Sequence, residues 1–206
     1  MKVYFYWPNL IGYIRILFLY IFYLYFDSKR YLSLIIYFLS FALDGVDGHV
    51  ARYFNQATIF GEVLDMLTDR MGTMILCIIN LQSSFSYCKS FIVFWLILDL
   101  SSHWMQTLFA YKTNCYHKNI KSYFKLLSIY YTNKPFMLTL ACGSEFFLLF
   151  NSNLDKIGVL NFYTKFIFVF MFLLFVTKGF VHILQLLNNI IGFGKLSESS
   201  RNEKKN

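Results

Sequence analysis

Four aspartates, Asp44, Asp47, Asp65 and Asp69, stand in or beside long apolar runs, and they constrain this chain more than any other feature. A carboxylate is costly beside hydrocarbon and survives there only with a partner of opposite charge. The first two are three residues apart and the last two four apart. With both flanks helical, each pair lies on one face of its helix. Between the pairs is a short polar break, Asn55-Gln56-Ala57-Thr58. A chain that folds back at this break brings the two pairs together. Four gathered carboxylates repel one another. Hard divalent cations relieve that repulsion, and an all-oxygen ligand set suits magnesium or manganese.

The rest of the chain sets the solvent. Of its 206 residues 57% are hydrophobic, and the mean hydropathy is +0.49. Apolar segments recur throughout, which reads as an all-α polytopic membrane protein. Six spans are predicted at about 8–26, 31–54, 58–81, 90–111, 135–150 and 162–191. Together, residues 1–191 read as one domain, followed by a basic, disordered tail at 192–206. No small-residue cleavage site follows the first apolar run, which therefore reads as a retained span. Pro8 suits its first turn, where a missing N–H costs little. The four cysteines, Cys77, Cys88, Cys115 and Cys142, lack metal-ligand spacing and read as free thiols.

An even number of spans puts both termini on one side. That side, with the 52–58 break and the 112–134 segment, carries Lys2, Arg52, Lys112, Lys118, Lys121, Lys125, Lys134, Lys195, Arg201, Lys204 and Lys205. The other carries Lys29, Arg30, Lys89 and Lys156. This imbalance predicts that the termini and the aspartates face the cytosol. The net charge of +8 suits an anionic lipid surface, and no nucleic-acid motif accompanies it.

The full pattern from Asp44 is Asp-x2-Asp-Gly-x2-Ala-Arg-x8-Gly-x3-Asp-x3-Asp, filled by Asp44, Asp47, Gly48, Ala51, Arg52, Gly61, Asp65 and Asp69. Gly48 and Gly61 let a ligand approach the backbone closely. Arg52 can hydrogen-bond a phosphate, and Thr58 can add a hydroxyl contact. Two carboxylate pairs can hold two divalent ions, which suits in-line phosphoryl displacement. No Ser–His or Cys–His pairing stands in the stretch, so direct attack by an acceptor hydroxyl is favoured over a covalent enzyme intermediate.

These residues and spacings resemble the signature of the CDP-alcohol phosphotransferases. The residues between them, Asn55-Gln56, Thr58, Phe60, Leu64, Met66, Thr68 and Arg70, are similar to the eukaryotic branch that uses myo-inositol. So are the segments 98–104 and 130–135. The resemblance implies a six-helix membrane fold and transfer of the phosphatidyl group of CDP-diacylglycerol to myo-inositol, giving phosphatidylinositol and CMP. It implies Asp44, Asp47 and Asp65 as the main ligands of a two-metal magnesium or manganese site. Asp69 is implied as the catalytic base and a further ligand. Gly48, Arg52 and Thr58 are implied in CDP-diacylglycerol binding, with Ala51 and Gly61 beside them. Asn9, in Pro8-Asn9-x5-Arg15, is expected near the nucleotide. A homodimer in the membrane of the endoplasmic reticulum or Golgi is implied as well. Glu62 departs from the small residue expected beside Gly61, and Gly12 from a frequent Thr. The rival readings are another acceptor (glycerol phosphate, serine or choline) and a cation transporter, which would spread its acidic residues across the bilayer depth.

Other polar residues in the spans keep two readings each. Arg70 is a structural ion pair or a phosphate contact. Asp99 and His103, four apart, form an intramembrane pair or bind a polyol. Lys178 snorkels or pairs, or else lines an inositol pocket. His49 reads as a neighbour of the site and not a ligand.

Overall fold

The structure, a computed structural model, describes residues 2–83, 89–113, 122–154 and 161–203. Outside them lie Cys88, Cys115, Lys118, Lys121, Lys156, Lys204 and Lys205. The described residues form helices and no strands. A 3-10 turn, Val3–Phe5, precedes α1 (Trp7–Tyr25), α2 (Arg30–Tyr53), α3 (Ile59–Gln82), α4 (Lys89–Thr113), α5 (Lys125–Thr132), α6 (Lys134–Ser152) and α7 (Phe162–Glu203). Four of these, α1, α2, α4 and residues 162–199 of α7, are long and apolar enough to cross a membrane. α3 is as long as α2 but carries Glu62, Asp65, Asp69 and Arg70.

Local chemistry sets the helix ends. Pro8 and Pro135 occupy the first turns of α1 and α6. Asn133 caps α6 by accepting from the Phe136 N–H at 3.1 Å. Asn161 does the same for α7 from Thr164 N–H at 2.9 Å. At the polar break Asn55 adopts φ +53°, a left-handed conformation that asparagine tolerates better than most residues. Thr58 then opens α3, its Oγ1 accepting from the Gly61 N–H at 3.1 Å.

The chain divides into two compact units, Met1–Ile79 and Asn80–Asn206. In the N-terminal unit Phe22, Leu19, Phe26 and Tyr37 are buried, and the Phe22 and Tyr37 rings lie 4.9 Å apart. Leu17, Tyr20, Leu24 and Ile35 point outward, while Asn9, Arg15 and Asp47 are buried. Apolar outside and polar inside is the arrangement expected when the solvent is hydrocarbon.

The C-terminal unit repeats that inversion. Trp95 stacks on Phe175 with ring centroids 4.6 Å apart and donates its Nε1–H to the Phe175 carbonyl at 3.0 Å. Beside this core runs a polar seam between α4 and α7. Asp99 Oδ1 lies 3.4 Å from His103 Nδ1, the pair expected from their spacing, and 3.1 Å from His182 Nε2. Ser102 Oγ lies 3.1 Å from His182 Nδ1. Lys178 hydrogen-bonds the Tyr130 hydroxyl and is buried, so it does not snorkel. α5 falls in the 112–134 segment, which lies between the predicted spans. Its Leu127 and Tyr130 are buried against Leu140 of α6 and Val181 of α7. The stretch from Gly192, read from composition as a disordered tail, continues α7 to Glu203. Its helix-forming Lys, Leu and Glu extend a helix already nucleated upstream.

Candidate active site

Three helices of the N-terminal unit build the site. α2 ends with Asp44, Asp47, Gly48, Ala51 and Arg52, and α3 begins with Gly61, Asp65 and Asp69. α1 supplies Asn9, Gly12 and Arg15. The turn at Asn55 folds α3 back, so that carboxylate oxygens of Asp44, Asp47 and Asp65 lie within 4.8 Å of one another. An all-carboxylate donor set of this kind fits a hard divalent cation.

Arg15 meets every aspartate of the motif. Its Nη1 lies 2.9 Å from Asp47 Oδ2 and 3.0 Å from Asp65 Oδ1. Its Nη2 lies 2.5 Å from Asp44 Oδ1 and 2.7 Å from Asp69 Oδ1. Each of the two terminal nitrogens, Nη1 and Nη2, therefore joins one aspartate of α2 to one of α3. Helical spacing alone pairs Asp44 with Asp47 and Asp65 with Asp69; the folded chain pairs them across helices. The motif gives no signal for Arg15. Its only sequence cue is its place in Pro8-Asn9-x5-Arg15.

A cavity of about 190 Å³ opens beside the carboxylates. Asn9, Gly48, Ala51, Arg52, Thr58 and Gly61 all line it, together with Asp47 and Asp65. A Cβ at Gly61 would lie 3.1 Å from Asn9 Oδ1 and 3.3 Å from Thr58 Oγ1, so a side chain there would crowd both. Neither neighbour is free to retreat, since Asn9 Nδ2 donates to the Val3 carbonyl at 2.6 Å and Thr58 caps α3. A Cβ at Gly12 would lie 3.0 Å from Leu64 Cδ2, so a side chain there would require Leu64 to shift. Glu62 is exposed and lines the same cavity. Gln56 lines it too, its Oε1 accepting from the Trp7 N–H at 2.9 Å and tying the α2–α3 break to the start of α1. His49 Nδ1 is 2.8 Å from the Gly45 carbonyl and stands outside the carboxylate group.

The carboxylate cluster at the break between α2 and α3, with a glycine-lined cavity beside it, sits in a chain of helices of which four are apolar and long enough to cross a membrane. Residues 5–191 match the model of the CDP-alcohol phosphatidyltransferases, and the chain belongs to that family. It is 42% identical over 142 residues to CDP-diacylglycerol–inositol 3-phosphatidyltransferase 1 of Arabidopsis thaliana, covering 66% of this chain and 60% of that one. The enzyme named CDP-diacylglycerol–inositol 3-phosphatidyltransferase in Homo sapiens is 41% identical over 142 residues, covering 68% and 66%. Its counterpart in Candida albicans is 42% identical over 152 residues, covering 70% and 64%. The matched region thus spans about 60–66% of the length of these relatives. No solved structure matches the chain.

Proposed function

We propose that this chain transfers the phosphatidyl group of CDP-diacylglycerol to myo-inositol, releasing CMP. The observation that carries the reading is the junction of the glycine-lined cavity with the carboxylates: Gly48, Ala51, Arg52, Thr58 and Gly61 share one cavity with Asp47 and Asp65. The names of the relatives supply the donor and the acceptor.

In this reading Asp44, Asp47 and Asp65 hold magnesium or manganese, since their oxygens converge within 4.8 Å. Two such ions, when bound, neutralise the diphosphate and stabilise the charge that develops on its oxygens. Asn9, Gly48, Ala51 and Gly61 shape the nucleotide pocket, Arg52 hydrogen-bonds a phosphate oxygen, and Thr58 adds its hydroxyl. Asp69, whose side chain meets Asp44 and lies 2.7 Å from Arg15 Nη2, is the proton acceptor and a further ligand in this reading. An inositol hydroxyl oxygen attacks the phosphorus that bears the diacylglycerol. The bond from that phosphorus to the bridging oxygen breaks, CMP leaves with that oxygen, and Asp69 takes the hydroxyl proton.

The wider setting belongs to the same proposal. α3 and α6 join the four long apolar helices to make six spans, with the termini and the carboxylates on the cytosolic side. The protein works as a homodimer in the endoplasmic reticulum or Golgi membrane. The direct test supplies purified protein with CDP-diacylglycerol and, in turn, myo-inositol, glycerol phosphate, serine and choline, and follows CMP release. Release with inositol alone is expected. Release with a different alcohol would reassign the acceptor, and none with any alcohol would remove the activity.

A further inference from the structure

Arg15 is the buried centre of the carboxylate cluster, and burial runs in one direction across it. Its side chain is 5% exposed, against 38% for Asp44, 12% for Asp47, 50% for Asp65 and 36% for Asp69. The guanidinium lies on the protein side and the carboxylates reach outward from it. It engages one oxygen of each aspartate: Oδ1 of Asp44, Asp65 and Asp69, and Oδ2 of Asp47. These four contacts use one oxygen of each aspartate; Asp44 also meets Asp69, and Asp47 also accepts from the Gly48 N–H.

We propose that Arg15 is a positioning residue of the metal site: its planar fork pins one oxygen of each aspartate and presents the other to the cation. The proposal rests on reading these aspartates as a divalent-cation site. Without Arg15 the four carboxylates would repel one another and splay apart, and that change must be reversed before a cation binds. A guanidinium offers five donors in a fixed plane and serves four acceptors at once, whereas an ammonium offers three donors at a single point. The opposing effect is its own positive charge, which repels a cation. The burial gradient decides between them, because a cation arriving from the exposed side meets oriented oxygens without needing the seat that Arg15 occupies. A guanidinium merely holding the cation's seat would give the opposite sign, since its removal would tighten cation binding.

The test uses the full-length protein in detergent, stripped with chelator and without substrate. Mn²⁺ is titrated, and the free ion is followed by its electron paramagnetic resonance signal, for wild type, Arg15→Gln and Arg15→Lys. Loss of an outer-shell partner typically weakens metal binding roughly 10–100-fold, and that loss is expected for Arg15→Gln. Arg15→Lys keeps the charge but not the fork, and its affinity is expected to stay below wild type. Thermal unfolding in chelator is recorded alongside, so that a fall in stability is read separately from a fall in affinity. Mn²⁺ binding by folded Arg15→Gln that is unchanged or tighter overturns the proposal. If that variant does not fold, wild-type affinity in Arg15→Lys overturns it instead. Wild-type protein that takes up no Mn²⁺ overturns the metal-site reading itself, whereas wild-type uptake matched by Arg15→Gln overturns the role of Arg15 alone.

Discussion

Four aspartates with the same side chain are separated by position into two kinds. Oxygens of Asp44, Asp47 and Asp65 converge, while Asp69 meets Asp44 and Arg15 and is the one proposed as base. Substitution should separate the two kinds. Asp69→Asn keeps the size and loses the basicity, so turnover is expected to fall roughly 10²–10⁴-fold. Binding of CDP at fixed magnesium is expected to survive. Asp44→Asn or Asp47→Asn is expected to weaken magnesium-dependent CDP binding together with turnover. Measuring CDP binding beside CMP release for each variant checks this. Near-normal turnover in Asp69→Asn removes it as the base. Loss of nucleotide binding as severe as in Asp44→Asn makes it chiefly a ligand.

At the scale of elements, close packing depends on what each helix leaves out. Gly179 of α7 faces Trp95 of α4, and a Cβ there would lie 2.8 Å from the indole Cδ1. The indole is held by its stack on Phe175 and by its hydrogen bond to the Phe175 carbonyl, so it has little room to yield. Gly179→Ala is expected to destabilise the C-terminal unit by about 1–3 kcal/mol, the usual range for overpacking. Thermal unfolding in detergent reads this as a lower midpoint; an unchanged midpoint would mean that the two helices can separate slightly at no cost. The start of α3 makes a smaller prediction. Thr58→Ala removes a cap and is expected to cost about 1 kcal/mol, with Thr58→Ser recovering most of it. Equal losses in both variants would trace the effect to the threonine methyl and not to its hydroxyl.

For the whole molecule, the governing quantity is the charge carried into an apolar chain. Chelation by EDTA is expected to abolish CMP release, and magnesium or manganese to restore it, because one guanidinium cannot neutralise four carboxylates. Full activity in chelator would refute a divalent requirement. The distribution of basic residues makes the prediction about orientation. Tags at the two termini are expected to be reachable from the cytosol, because the segments assigned to that side hold most of the lysines and arginines. A C-terminal tag that is glycosylated or protected in the lumen would overturn the count of six spans.

The sequence by itself determined the aspartates, their spacing and the break between them, because an i to i+3 or i+4 repeat and a polar interruption are local properties. Most helix starts were legible as well: the predicted spans begin within one residue of α1, α2, α3, α4, α6 and α7, and Pro8 marks the first turn of α1. Of the cavity residues, Asp47, Gly48, Ala51, Arg52, Gly61 and Asp65 stand in the motif, whereas Asn9, Gly12, Gln56 and Glu62 lie outside it. Tertiary structure alone decided which carboxylates share a nitrogen of Arg15, since periodicity names a face of a helix but not the neighbour it meets. It also added His182 to the expected pair of Asp99 and His103, across 79 positions from His103. α5 escaped the sequence reading because its eight residues are too few to display a period, and only Leu140 and Val181 reveal which of its side chains are buried. Composition described the segment after Gly192 as polar, but its helicity comes from continuing α7, a cooperative effect that the local residues do not encode alone.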